Sequence, residues 1–344
     1  MKKPYICFVA GRSGGHIIPA LTVAHQYKKT DPQTNIIFFS TSSDVDKSLL
    51  QSHLIVDTWI PLKLGNFPRA KLHRYPRFLW QLNIAFFKSL FYLIRKRPQK
   101  LIAMGGYISI PVCIAAWILR IPQELFELNV IPGKATTFLK PFIPKIAICF
   151  KEAITYLPSK KCVITDYPVR YPTSTREIPR KEALACMTFL TARLTIMILG
   201  GSQGSSFINK IIKQWVEQYP EYHARIQIIH QTGLLHDKYD LEDFYLKHEI
   251  PAFVFDYCDE LENCYQAADL IICRSGAGTL FEVKFFNKRC ITIPLQASTT
   301  EHQYHNAQAM KESCPSLFNV LQQHEIDNNL MLLNKAIHQY LQKP

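Results

Sequence analysis

Short apolar runs alternate with longer stretches of helical period along the whole chain. Tyr5–Ala10, Ile36–Phe39, Leu101–Met104, Glu124–Phe126 and Ala147–Phe150 read as strands. Between them, residues 19–29, 78–96 and 109–119 carry apolar side chains at helical spacing. A proline-rich stretch follows, with Pro158, Pro168, Pro172 and Pro179, and the pattern then restarts. Leu194–Leu199, Arg225–Ile229, Phe253–Phe255, Leu270–Cys273 and Cys290–Pro294 read as strands, with helices near 205–217, 260–267, 278–287 and 302–313. Strands alternating with helices predict βαβ units and parallel sheets. The expected fold class is α/β, with two Rossmann-like doubly wound domains joined near 160–172. Such sheets bind ligands outside the carboxyl ends of their strands, so the expected site is the cleft where the two domains face.

Composition agrees with two cores. The chain has 344 residues, and single cores stop growing near ~250–300. With 48% hydrophobic and 19% charged residues, wholesale disorder is excluded. The net charge is +13, and its distribution is uneven. Residues 1–160 carry 22 Lys/Arg and 7 Asp/Glu, whereas 161–344 carry 18 and 20. An anionic partner is therefore expected at the N-terminal half. The ten cysteines form no CxxC pair and no zinc-ligand spacing, so they read as reduced thiols of a cytosolic protein. No run approaches the ~18 apolar residues that span a bilayer, and Tyr5–Ala10 is too short for a signal sequence. The expectation is a soluble or peripheral protein.

Three loops carry the candidate chemistry. The first strand runs into Gly11-Arg12-Ser13-Gly14-Gly15-His16, with Pro19 expected to open a helix. In the second half, LTIMIL runs into Gly200-Gly201-Ser202-Gln203-Gly204 and then a helix. Glycines let the backbone approach a phosphate, and a helix N-terminus supplies free N–H groups. Neither loop fits GxGxxG or Walker A, and no acid follows the second strand where a dinucleotide ribose needs one, which argues against a dehydrogenase. The third loop, Cys273-Arg274-Ser275-Gly276-Ala277-Gly278-Thr279-Leu280-Phe281-Glu282, also joins strand to helix. Arg274 suits a phosphate, and Glu282 suits a ribose diol or else a solvated helix face. The polar run Glu301–Asn306 suits a sugar pocket. Asp44-Val45-Asp46 resembles a metal-binding DxD but lies at a probable helix start, where Asp caps.

In order and spacing, AGRSGGHIIPAL, MGGYISIP, ILGGSQGSSFIN, AADLIICRSGAGTLFE and HQYHNA together resemble the MurG family. These are transferases that complete lipid II in bacterial cell-wall synthesis. The resemblance implies a GT-B architecture and an inverting, metal-independent transfer of N-acetylglucosamine from UDP-GlcNAc to the 4-hydroxyl of N-acetylmuramic acid in lipid I. It implies no cofactor. The donor site would comprise Ser202, Gln203, Arg170, Arg274, Ala277, Gly278, Thr279, Leu280, Glu282, Gln303, Asn306 and Cys258. The acceptor side would comprise Ser13, Gly14, Gly15, Tyr107 and Asn129, with His16 or Glu127 as general base. The implied domains are 1–163, joined by a C-terminal helix at about 328–344 that crosses back, and 164–327. Implied partners are lipid I, an anionic phospholipid surface at the cytoplasmic face of the inner membrane, and a cell-wall or division complex.

Departures fall mainly on the acceptor side. Arg12 and Ser13 stand where family loops have Gly and Thr, and Phe126-Glu127-Leu128-Asn129 replaces HEQN. Thr165-Asp166-Tyr167-Pro168-Val169-Arg170 stands for TGNPVR, and Thr136 for an Asn. Arg12 is expected to add a cation for the acceptor pyrophosphate. Thr58–Gln123 holds 11 Lys/Arg and no acid, and 67–100 interleaves aromatics with cations. That stretch reads as a membrane-surface helix, or as a core helix with a solvated basic face. Nucleic acid is not expected, because no recognition module fits. The alternatives are a glycosyltransferase with another lipid acceptor, a UDP-GlcNAc 2-epimerase, or a basic binding module without catalysis.

Overall fold

The structure is a computed structural model that describes residues 4–51, 53–65, 68, 72–201, 203–234, 237–296 and 301–341. The expectations placed on Ser202, Phe67, Arg69 and Lys71 lie outside the described residues. The chain divides into two compact units, Met1–Arg170 and Tyr171–Pro344.

The first unit runs β1 (Tyr5–Val9), α1 (Gly14–Thr30), β2 (Asn35–Thr41), α2 (Asp44–Gln51), β3 (Thr58–Leu62), α3 (Tyr75–Lys96), β4 (Lys100–Ala103), α4 (Ser109–Ile118), β5 (Gln123–Glu127), α5 (Lys134–Leu139), β6 (Lys145–Ile148) and β7 (Cys162–Ile164). All pairings are parallel, in the order β3-β2-β1-β4-β5-β6-β7. Strand order reverses between β1 and β4. One sheet face packs Phe8, Ile36 and Phe38 against Ile17 and Leu21 of α1. The other packs Val9, Ile37 and Leu101 against Phe78, Leu93 and Val112 of α3 and α4. Burial of each large aliphatic or aromatic side chain contributes about 1.5–3 kcal/mol.

The second unit runs α6 (Arg180–Ala185), β8 (Leu194–Leu199), α7 (Ser206–Gln218), β9 (Ile226–Gln231), α8 (Lys238–Lys247), β10 (Ala252–Phe255), α9 (Glu262–Ala267), β11 (Leu270–Cys273), α10 (Ala277–Phe285), β12 (Arg289–Thr292), α11 (Glu301–Ser313), β13 (Phe318–Val320), α12 (Gln323–Asn328) and α13 (Met331–Leu341). Its parallel order, β10-β9-β8-β11-β12-β13, is the Rossmann order, reversing between β8 and β11. Two doubly wound units of this kind make up the GT-B architecture.

Two expectations are corrected. The unit boundary falls after Arg170, not after residue 163. The last helix belongs with the second unit: Leu333, Ala336, Ile337 and Leu341 of α13 join the core around Trp215 and Ile226. Trp215 Nε1 also donates to Asn334 Oδ1 at 3.0 Å. The apolar stripe at 333, 336, 337 and 341 finds its cover on the sheet that the chain has just left.

Helix α3 is apolar on two faces. Phe78, Ala85, Ser89 and Leu93 are buried. Trp80, Ile84, Phe87, Phe91 and Ile94 recur at spacings of three and four on the opposite face, and all are exposed. Trp80 is 68% exposed and Phe87 63%. The outward face is therefore a bare apolar stripe, not the basic face of a core helix. Exposed Arg77 and Arg95 lie beside it. No helix among the described residues is long and apolar enough to cross a membrane.

Candidate active site

Helix α1 begins at Gly14, five residues earlier than the sequence suggests, with Pro19 inside it. This places His16 in the first turn. The helix's own hydrogen bonds begin where His16 N and Ile17 N donate to Ser13 O, each at 3.2 Å. The Gly14 and Gly15 amides precede that ladder, and the Ser13 side chain caps neither. The turn therefore presents backbone N–H groups of the kind that can hold an anion. His16 Nδ1 lies 3.5 Å from Ser13 Oγ. Its ring is also near Gly106, whose φ of +75° suits glycine; an added Cβ would lie 3.8 Å from His16 Nδ1. The loops after β1 and β4 therefore meet at the strand-order reversal of the first sheet.

Asp46 holds the first glycine loop. It is fully buried and accepts from Arg12 N at 2.8 Å, Thr41 N at 2.9 Å and Thr41 Oγ1 at 2.6 Å. A Cβ on Gly11 would meet its Oδ2 at 2.8 Å, so the loop needs glycine there. Asp46 is thus committed to backbone and hydroxyl donors, which accounts for half of the DxD resemblance. Arg12 stands at φ +73° and donates from Nη2 to Leu64 O at 3.1 Å. That bond ties the first glycine loop to the segment after β3.

Glu127 ends β5 and is 4% exposed. Oε1 accepts from Asn129 N at 3.0 Å and Asn129 Nδ2 at 3.4 Å, and Oε2 from Gly133 N at 3.1 Å. Thr136 adds a fourth donor. Burial still outweighs these bonds and raises the Glu127 pKa above the ordinary carboxylate range. Four donors match the ~4 lone-pair positions of a carboxylate. Glu127 therefore organises the 129–136 loop, with Thr136 among its donors. Tyr107 follows Gly106 in the β4–α4 loop, half-buried.

The second unit builds its seat differently. Gly201 and Gly204 take φ of +87° and +78°, closed by Gly204 N to Gly201 O at 2.9 Å. Ser205 caps α7, accepting from Ile208 N at 3.3 Å. Arg274, 8% exposed, follows β11 and donates from Nε to Ser205 Oγ at 3.1 Å. Its Nη1 donates to Ile293 O at 3.1 Å and Pro294 O at 3.4 Å. Desolvation pushes its pKa down to about 10, so it remains a cation at neutral pH. Nη2 has no protein partner among the described residues and is the nitrogen left for an anion. Gly276 is the N-cap of α10 and offers no side-chain cap, leaving the Ala277, Gly278 and Thr279 amides ahead of Leu280 N, which donates to Gly276 O.

Glu282 is half-buried, and its Oε2 accepts from Tyr265 OH at 2.7 Å. Tyr265 is fully buried and stacks on Phe286, with centroids 4.8 Å apart and planes 7° apart. Tyr171, the first residue of the unit, packs edge-on against both rings. No sequence motif marks Tyr265, which lies in α9 five residues before β11. Asn306 is fully buried and donates from Nδ2 to Ser275 O at 3.4 Å, joining α11 to the Arg274 loop. Gln303 accepts from Leu295 N at 3.0 Å. Gln203 is exposed at the loop tip. Cys258 donates within its own loop to Glu260 O at 3.2 Å. Arg170 closes the first unit, half-buried.

Comparison with known proteins places these features in a family. The glycosyltransferase family 28 N-terminal domain matches residues 6–148, and the family's C-terminal domain matches 195–343. A UDP-N-acetylglucosamine–N-acetylmuramyl-(pentapeptide) pyrophosphoryl-undecaprenol N-acetylglucosamine transferase of Geobacter sulfurreducens is 32% identical over 314 residues, covering 89% of this chain and 82% of its own. A protein of the same name from Myxococcus xanthus is 28% identical, covering 91% and 79%. The fold is shared with Acinetobacter baumannii MurG at TM-score 0.74 and 22% identity, covering 98% of this chain and 91% of that one. It is shared less closely with a UDP-GlcNAc 2-epimerase of Methanocaldococcus jannaschii, at 0.65 and 14%, covering 98% and 93%. With matched domains in both halves and a relative above 30% identity along most of its length, the chain belongs to the MurG family within glycosyltransferase family 28.

Proposed function

We propose that the protein transfers N-acetylglucosamine from UDP-GlcNAc to the 4-hydroxyl of N-acetylmuramic acid in lipid I, giving lipid II and UDP. The observation that carries this reading is a strand–glycine loop–helix turn, with helix N-terminal amides left over for an anion, at the strand-order reversal of each unit. The reaction joins two diphosphate-bearing substrates, one per seat. An epimerase handles a single sugar nucleotide and has no use for the second seat.

His16 takes the proton of the acceptor hydroxyl as its oxygen attacks the anomeric carbon. The bond from that carbon to the diphosphate oxygen breaks, the electron pair leaves with UDP, and the configuration inverts. His16 is preferred to Glu127 because the carboxylate's acceptor positions are already taken by Asn129, Gly133 and Thr136. Arg274 Nη2 and the first amides of α10 meet the charge that develops on the leaving group. Glu282 accepts from the ribose hydroxyls, while Gln303 and Asn306 face the sugar. Gly14 and Gly15 hold the acceptor pyrophosphate. This arrangement supplies the positive charge from protein groups, which supports a metal-independent reaction. No group of three His, Cys, Asp or Glu side chains placed to hold a metal occurs among the described residues.

The acceptor is lipid-linked, and the exposed stripe of α3 supports docking on a bilayer from the cytoplasmic side. Its aromatics enter the interface, and flanking cations such as Arg77 and Arg95 each contribute about 1 kcal/mol near anionic lipid. Radiolabelled UDP-GlcNAc with a short-chain lipid I analogue in EDTA tests the chemistry. Labelled lipid II is the expected product; hydrolysis or 2-epimerisation without transfer refutes the reading. Co-sedimentation with anionic vesicles, strongest at low salt, tests the docking.

A further inference from the structure

The second unit carries a concavity that the transfer reaction does not use. A cavity of about 500 Å³ opens at the amino ends of β12 and β13, the sheet edge opposite the glycine loop. Arg289 and Lys311 line it, with Tyr340 as an aromatic wall and Ser316, Asn319 and Gln339 as polar neighbours. No carboxylate is among the lining residues. The Arg289 guanidinium lies over the Tyr340 ring, 5.4 Å from its centroid. Neither cation has an acidic side chain within ion-pair distance among the described residues.

The surroundings make that pair of cations informative. Residues 161–344 carry 20 Asp/Glu against 18 Lys/Arg, so the two cations are not part of a general basic surplus in this half. Two un-neutralised cations in one concavity instead raise a local positive potential. Stacking on Tyr340 restricts Arg289 in advance, which lowers the ordering cost of binding a tetrahedral oxyanion. Lys311 adds a mobile point charge. The volume falls within the ~300–1,000 Å³ of small-molecule sites.

We propose that this cavity is a second ligand site, taking a small solute that bears a phosphate or diphosphate group. The test uses the full chain with its donor site saturated by UDP, titrated with inorganic pyrophosphate at low salt by calorimetry. Beyond the pyrophosphate that the amides at the start of α1 take up, which neither variant alters, a second binding component is expected, and Arg289→Gln and Lys311→Gln each weaken it roughly tenfold or more, the loss of one hydrogen bond to a charged group. UDP affinity stays unchanged in both. Lys311 is exposed on α11, so its variant keeps the test open if Arg289→Gln folds poorly. Absence of that component in the wild type, or variants that bind pyrophosphate as the wild type does, overturns the proposal.

Discussion

Tyr265→Phe isolates one hydrogen bond in the proposed donor site. The substitution removes only the hydroxyl that donates to Glu282 Oε2 at 2.7 Å. The ring stack on Phe286 survives, so the core should hold. A hydrogen bond to a charged group is worth about 1.5–3 kcal/mol. Glu282 is half-buried, and water replaces part of the lost bond, which favours the lower end. About 1.5 kcal/mol is roughly a tenfold change in affinity. If Glu282 grips the ribose, the donor KM rises about tenfold, while kcat and the acceptor KM stay within about twofold. A 2′-deoxyribose donor sharpens the assay. It should bind the wild type poorly, and Tyr265→Phe should add little to that penalty, because the two changes disturb one contact. An unchanged donor KM, or fully additive losses with the deoxy donor, would refute the role given to Glu282.

Four further outcomes are expected. His16→Ala lowers kcat by about 10²–10⁴, as removal of a general base does, and leaves donor KM unchanged; Glu127→Gln disturbs acceptor KM and thermal stability more than kcat. Arg274→Lys lowers kcat for transfer at saturating substrates, since one ammonium cannot serve Ser205, the 293–294 carbonyls and a phosphate together; full activity in the lysine variant refutes the three-way contact. His230 is fully buried between Tyr245 and Asn209, and burial lowers its pKa from 6.5 to about 3. The unfolded chain then binds a proton that the folded one refuses. Stability is complete above pH 6.5 and is lost as pH falls toward 3, and His230→Gln flattens that slope in urea titrations at successive pH.

The sequence conveyed most of the central sheet strands and little of the edges. Central strands such as LTIMIL at 194–199 are continuous apolar runs because helices cover both faces. Strands β7 and β13 have three residues each, and β3 contains Pro61, so none presents such a run. The start of α1 was misplaced because Pro19 signals a helix opening, whereas here it sits in the second turn. The glycine loops were legible as strand-to-helix turns, since glycine there permits the positive φ seen at Gly201 and Gly204. Tyr265 and Asp46 were not. Each acts through a partner distant in sequence, Glu282 or the Arg12 backbone, and only folding brings those pairs together.

The two phosphate seats differ as their chemistry requires. The pyrophosphate of an acceptor keeps its charge through the reaction, so backbone amides at the start of α1 suffice to place it. The diphosphate of the donor gains charge as its bond to the sugar breaks, and a group that meets the added charge accelerates the step. That is where the fold accepts the cost of burying a guanidinium. The desolvation appears in the lowered pKa of Arg274, and it is offset by Ser205 and two carbonyls that fix the fork before substrate arrives. On the proposed reading, preorganisation serves the leaving group and positioning serves the acceptor, and the departures from the family pattern lie on the first unit. Arg12, through Leu64 O and Asp46, and Thr136, through Glu127, each act in holding loops of that unit.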